Sequence, residues 1–93
     1  MTTPLTAQFI ANVKRQPISV EHRGRTVALN RVEGRPGGLI AVDLVVREGE
    51  HVIGYITPYG EYENGAIPAQ LLTAGAAPLI VRTLEAALDE ILR

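Results

Sequence analysis

Two segments of alternating character flank Arg23-Gly24 and constrain the fold more than any other feature of the chain. Residues 18–22 and 25–30 largely alternate between apolar and polar side chains, which is the period of a β-strand. A two-residue turn at Arg23-Gly24 pairs the apolar residues on one face of a hairpin: Ile18 with Leu29, and Val20 with Val27. The chain is therefore predicted to contain an antiparallel sheet.

A second hairpin is predicted from the long apolar run at residues 39–46, which is typical of a central strand. Gly49 suits the first position of a two-residue turn, and that turn places Leu44 opposite Tyr55. A three-residue turn would instead place Tyr55 on the face opposite Leu44. We favour the two-residue turn, because glycine fits its first position.

Three helices complete the predicted fold. Thr3 caps the first helix, Pro4 opens it, and Pro17 ends it. Residues 68–74 are predicted to form a short helix, and residues 78–92 a long one. The expected architecture is a single α+β domain spanning residues 1–93. In it, an N-terminal helix, a short helix and a long C-terminal helix pack on an antiparallel four-stranded β-meander.

Composition restricts the class of protein. Hydrophobic residues make up 46% of the 93 residues, which is too many for a disordered chain. No apolar run approaches the roughly 20 residues that cross a bilayer, so no membrane association is expected. The first residues lack the positive start and apolar stretch of a secretory signal. Cysteine is absent, which excludes disulfides and thiolate chemistry and fits a cytoplasmic protein.

Few residues of the chain suit catalysis. The only serine is Ser19, on a predicted edge strand, and both histidines, His22 and His51, lie beside turns. Two ligands from separate hairpins are a weak indication of a metal site. We therefore expect no enzyme, no catalytic residue, no cofactor and no metal. A small enzyme or metal-binding protein remains a remote alternative.

An excess of apolar surface predicts an interaction with another macromolecule. On a helical wheel of about 100° per residue, the apolar residues of the last predicted helix fill an arc of about 200°. A surface helix needs little more than about 100°. A second apolar face is expected on the sheet, and such surfaces mark interfaces. The predicted homodimer interface combines both surfaces through Leu39, Ala41, Val45, Ile56, Val81, Leu88 and Leu92.

The charges are divided unevenly along the chain, although its formal net charge is −1. Residues 1–47 carry seven basic and three acidic side chains, whereas residues 48–93 carry two basic and seven acidic ones. The basic half of one copy can therefore meet the acidic half of another, which favours a homodimer or a protein partner.

The same basic half supports an alternative function, the binding of single-stranded DNA or RNA. Arginines cluster around the first hairpin, and tyrosines are expected on the neighbouring strand. The sequence isoelectric point of about 6.1 is far below the value above 9 that is typical of strongly basic binding domains. The predicted nucleic-acid contacts are Lys14, Arg15, Arg23, Arg25, Arg31 and Arg35. A non-catalytic homodimeric interaction protein is the preferred prediction.

Overall fold

A computed structural model of the chain describes residues 3–13, 16–31, 44–58, 63–72 and 77–93. Its elements are, in order, α1 (Ala7–Asn12), β1 (Ile18–His22), β2 (Arg25–Arg31), β3 (Leu44–Glu48), β4 (His51–Pro58), β5 (Asn64–Pro68), α2 (Ala69–Leu72), β6 (Leu79–Val81) and α3 (Leu84–Ile91). Within these residues, the six strands form one antiparallel sheet in chain order. The predicted α+β class with an antiparallel sheet is confirmed, but the predicted number of four strands is wrong.

The first hairpin has the predicted register. β1 and β2 pair antiparallel with Val20 opposite Val27 and a two-residue turn between His22 and Arg25. Arg23 and Gly24 have φ angles of 53° and 74°, so both turn residues lie in the left-handed region. This is the backbone of the tight turns that match the twist of a β-hairpin.

The second hairpin begins as predicted and then departs from its expected register. Glu48 faces His51 across the turn that Gly49 opens with a φ of 61°. A β-bulge between Val46 and Arg47 then shifts the pairing by one residue, so that Leu44 faces Ile56. The predicted pairing of Leu44 with Tyr55 is therefore wrong. Because a one-residue slip exchanges the faces of a strand, Ile56 lies on the same face as Leu44 and Tyr55 lies on the other face.

The C-terminal part of the chain forms more strand than predicted. Asn64–Pro68 forms β5, although no strand was predicted there and the short helix was expected to begin at residue 68; α2 begins directly after β5. Leu79–Val81 pairs with β5 and is a strand, not the first turn of the last helix. α3 instead begins after Thr83, whose side chain accepts a hydrogen bond of 3.1 Å from the backbone of Ala86. Residues 73–74 of the predicted short helix lie outside the described residues.

The N-terminal segment is extended where a helix start was predicted. Leu5 N donates to Arg82 O at 3.0 Å, and Leu84 N donates to Thr3 O at 2.8 Å. This segment therefore pairs with the residues between β6 and α3. α1 begins only after Thr6, whose side chain caps it, and ends at Asn12.

One face of the sheet carries the main hydrophobic core, which packs against α1 and α3. Leu29, Leu44 and Ile56 from the strands are fully buried there with Leu88 of α3. Gly54 lets α3 approach β4, since a Cβ atom at this position would lie 2.7 Å from Ile91. In the described segments, no helix is long and apolar enough to cross a membrane.

Candidate interaction surface

The outer strands of the described sheet, β1 and β6, differ in how their surfaces are protected. Unpaired edges attract further strands, and proteins commonly protect them with charged side chains. β1 exposes Ser19 and Glu21, and its last residue, His22, is engaged with α3. This edge is therefore polar and carries a charge.

The opposite edge, β6, consists of Leu79, Ile80 and Val81 and has no polar or charged side chain. Its only strand neighbour among the described residues is β5. Leu79 is 51% exposed and Ile80 is 40% exposed, whereas Val81 is buried. The described part of the chain has one other exposed large hydrophobic residue, Leu71 on α2, at 40%. The β6 edge is thus the exposed apolar strand of the sheet.

The local sequence explains why residues 79–81 add to the sheet. Gly65 of β5 lies so close to Pro78 that a Cβ atom on Gly65 would be 2.6 Å from the proline Cβ. Glycine therefore allows the proline that precedes β6 to pack against β5. At the other end, the backbone of Arg82 bonds to the N-terminal segment. Both ends of β6 are consequently held in place.

Most of the residues that were predicted to form a dimer interface are buried within the fold of a single copy. Val45, Ile56, Val81 and Leu88 are buried, the last three of them in the main core. Leu92 is partly buried against that core. Ile56 was expected on the second sheet face, and the bulge in the second hairpin moves it to the helix face. Two further predicted residues, Leu39 and Ala41, lie outside the described residues.

The basic tip of the first hairpin is held by the C-terminal helix. Asp89 Oδ1 on α3 lies 2.7 Å from His22 Nε2 and 2.9 Å from Arg23 Nε. The hydrogen bond with His22 and the positive charge of Arg23 hold the pKa of Asp89 below its ordinary value. Both hairpin residues are therefore part of an ion cluster that joins β1 to α3.

The next arginine of the hairpin is held by the second turn. Arg25 donates from Nε to Glu48 Oε2 at 2.7 Å and from Nη2 to Glu48 Oε1 at 2.5 Å. Such a bidentate contact, with two parallel hydrogen bonds, fixes the orientation of the arginine relative to the carboxylate. The hydrogen bond from Arg25 lowers the pKa of Glu48. A third contact, from Nη1 to Leu92 O at 3.4 Å, reaches the end of α3.

The other residues predicted to contact nucleic acid do not join this cluster. Arg31 lies at the far end of β2, and its buried Nε has no hydrogen-bond partner within the described part of the chain. Lys14, Arg15 and Arg35 lie outside the described residues. The structure therefore places Arg23 and Arg25 together at one tip, with both guanidinium groups paired to carboxylates.

The few side chains suited to catalysis are spread over the fold. Ser19 is exposed on β1, and His51 follows the turn between β3 and β4. His22 is engaged by Asp89. Among the residues for which placement is described, no group of three or more His, Cys, Asp or Glu side chains could hold a metal ion.

Comparisons with known proteins yield no significant match to a family model, a curated protein or a solved structure.

Proposed function

We propose that the protein is a small non-catalytic macromolecular-interaction protein that acts as a homodimer, with the β6 edge as its contact surface. The observation that carries this proposal is the exposure of Leu79 and Ile80 on an edge strand without any charged residue. Burial of such a strand by another polypeptide removes apolar surface from water and satisfies edge backbone groups. This edge keeps Val81 from the interface that was predicted from the sequence and puts Leu79 and Ile80 in place of its other residues.

A second copy of the chain is the partner that this surface fits. Closed two-fold dimers are the commonest oligomers, and they require a surface that complements itself. An uncharged strand meets that requirement, because apolar residues of one copy meet apolar residues of the other. The formal net charge of −1 also gives little repulsion between copies.

The dimer is expected to be weak. Burying the exposed halves of Leu79 and Ile80 contributes about 1 kcal/mol per side chain, or about 4 kcal/mol for two copies. Association itself costs at least about 4 kcal/mol. The remaining stabilisation comes from hydrogen bonds between the strands, at about 1 kcal/mol each. About four such bonds leave a net of about 4 kcal/mol in favour of association, which corresponds to a dissociation constant of about 1 mM.

The non-catalytic part of the proposal is supported by the placement of the reactive side chains described above. The nucleic-acid alternative has weaker support, because phosphate would have to compete with Glu48 for Arg25 and with Asp89 for Arg23. A cytoplasmic location stays a prediction from the lack of cysteine.

Sedimentation equilibrium over a concentration series from about 0.05 to 2 mM tests the homodimer. We expect the average mass to rise from 10.0 kDa toward twice that value. Ile80→Lys should remain monomeric, because it places a charge in the contact. Leu71→Lys is the matched control, since Leu71 is exposed to the same 40% but lies on α2.

Circular dichroism of both variants establishes that they are folded. A wild-type chain that keeps the monomer mass up to about 2 mM contradicts the proposal, because that concentration exceeds the expected dissociation constant. Equal dimerisation of the Ile80→Lys and wild-type chains would show that the contact lies elsewhere.

A further inference from the structure

We infer that the two copies pair β6 with β6 as antiparallel strands about a two-fold axis at Ile80, so that one sheet continues across the dimer. This inference rests on the proposed homodimer and specifies its geometry. It follows from the sheet faces on which the β6 side chains lie, from the charge of Arg82 and from the missing N–H group of Pro78.

The alternation of side chains limits the registers that β6 can adopt with itself. Leu79 pairs with Ala66 of the main core and so lies on the helix face, whereas Ile80 pairs with Gly65 and lies on the opposite face. Residues paired across a continuous sheet point to the same face. A two-fold register must therefore place one residue of β6 opposite itself.

Arg82 is the one charged residue in the segment 78–82, and it lies 3.6 Å from Glu63 of the same copy. Its position distinguishes between the remaining registers. With Ile80 at the axis, Arg82 lies opposite Pro78 of the second copy. The two arginine positions are then about 14 Å apart along the strands. With Val81 at the axis, that separation falls to about 7 Å and the like charges repel. The charge pattern therefore favours the axis at Ile80.

Pro78 excludes the register that has Leu79 at the axis. With Leu79 at the axis, Pro78 would stand opposite Ile80 of the second copy, and proline has no N–H group for the ladder. The axis at Ile80 instead pairs all three residues of β6, with Leu79 opposite Val81 of the second copy. It also brings the exposed Ile80 side chains of the two copies together.

Single-cysteine variants test this register, because the chain has no cysteine of its own. Directly opposed residues of antiparallel strands have Cβ atoms about 5 Å apart, close to the separation that a disulfide spans. Under mild oxidation near 1 mM protein, Ile80→Cys should form a covalent dimer at least about tenfold faster than the controls.

The controls are Leu71→Cys, which matches Ile80 in exposure, and Leu79→Cys, which lies on the same strand. In the proposed register, the two Leu79 positions are about 7 Å apart along the strands, so their cysteines link slowly. As a second measurement on the wild-type chain, amide hydrogen exchange within β6 should slow as the concentration rises through the dissociation constant.

The outcomes separate the register from the homodimer itself. If sedimentation reports a dimer but Leu79→Cys or Leu71→Cys links as fast as Ile80→Cys, the β6 register is overturned and the homodimer stands. Unchanged exchange within β6 on dimerisation overturns the register in the same way. A wild-type chain that stays monomeric overturns both.

Discussion

The close approach of α3 to β4 predicts that Gly54→Ala destabilises the fold. A Cβ atom on Gly54 would lie 2.7 Å from both Cγ1 and Cγ2 of Ile91, whereas ordinary carbon contacts are about 3.5 to 4.0 Å. Ile91 is buried on α3 and cannot move its side chain into solvent. On the other side, the Ile67 carbonyl oxygen would be 3.0 Å away. Either α3 or β4 must therefore shift.

The size of this effect follows from two opposing contributions. Overpacking a core by one methyl group costs about 1 to 3 kcal/mol. The φ of Gly54 lies outside the left-handed region, so alanine also restricts the unfolded chain and contributes about 0.4 to 1 kcal/mol of stability. We expect Gly54→Ala to lower the free energy of unfolding by about 1 to 2 kcal/mol.

A double-mutant cycle measured by urea denaturation tests the cause. Ile91→Ala alone should cost about 2 to 5 kcal/mol, because it leaves a cavity. Combined with Gly54→Ala, the total should fall short of the sum by about 1 kcal/mol or more, since the new methyl group then fills that cavity.

Gly24→Ala is the control for this cycle. Gly24 has a φ of 74° and nothing within 4 Å of an added Cβ, so its cost comes from the backbone alone. That cost should add to the cost of Ile91→Ala without coupling. Additive free energies for the Gly54 and Ile91 variants would refute the proposed contact.

Two further predictions concern the ends of α3. Because the pKa of Asp89 is lower in the folded than in the unfolded chain, its contribution to stability is present above the unfolded pKa and lost as the pH falls through the folded pKa. The free energy of unfolding should therefore decrease as the pH is lowered below about 4. Asp89→Asn should reduce the difference in the free energy of unfolding between pH 7 and pH 3, and an unchanged difference would exclude this role. Thr83→Ala removes the cap of α3 and should lower the free energy of unfolding in urea denaturation by about 1 kcal/mol. A loss no greater than that of Thr26→Ala, at an exposed position of β2, would contradict the capping role.

The first hairpin could be predicted in full, because alternation and turn position agree on one register. The second hairpin could be predicted only as far as its turn. The pairing skips Ile53, between Val52 and Gly54, and because Val52 and Ile53 are both apolar no alternation shows the slip. The face on which Ile56 lies could not be obtained from the sequence for the same reason.

The charged cluster at the hairpin tip could not be predicted from the number of basic and acidic side chains in each half of the chain. Asp89 meets His22, which lies 67 residues earlier in the chain, and Glu48 meets Arg25, 23 residues earlier. Opposite charges in the two halves thus find partners within one copy. The uneven charge distribution gives correspondingly less support to pairing between copies, and the proposed dimer depends on its apolar edge.

The excess apolar arc of the last predicted helix has a structural explanation that leads to the same edge. The arc of about 200° counted Leu79, Ile80 and Val81 as helical. In the structure they form β6, and the buried residues left on α3 are Leu84, Ala87, Leu88 and Ile91. That spacing is the stripe of an ordinary surface helix, which needs no second partner. The unsatisfied apolar surface that the sequence indicated therefore belongs to β6, two residues before the cap at Thr83. There it coincides with an outer edge of the described sheet, and this combination favours the pairing of strands over the packing of helices between copies.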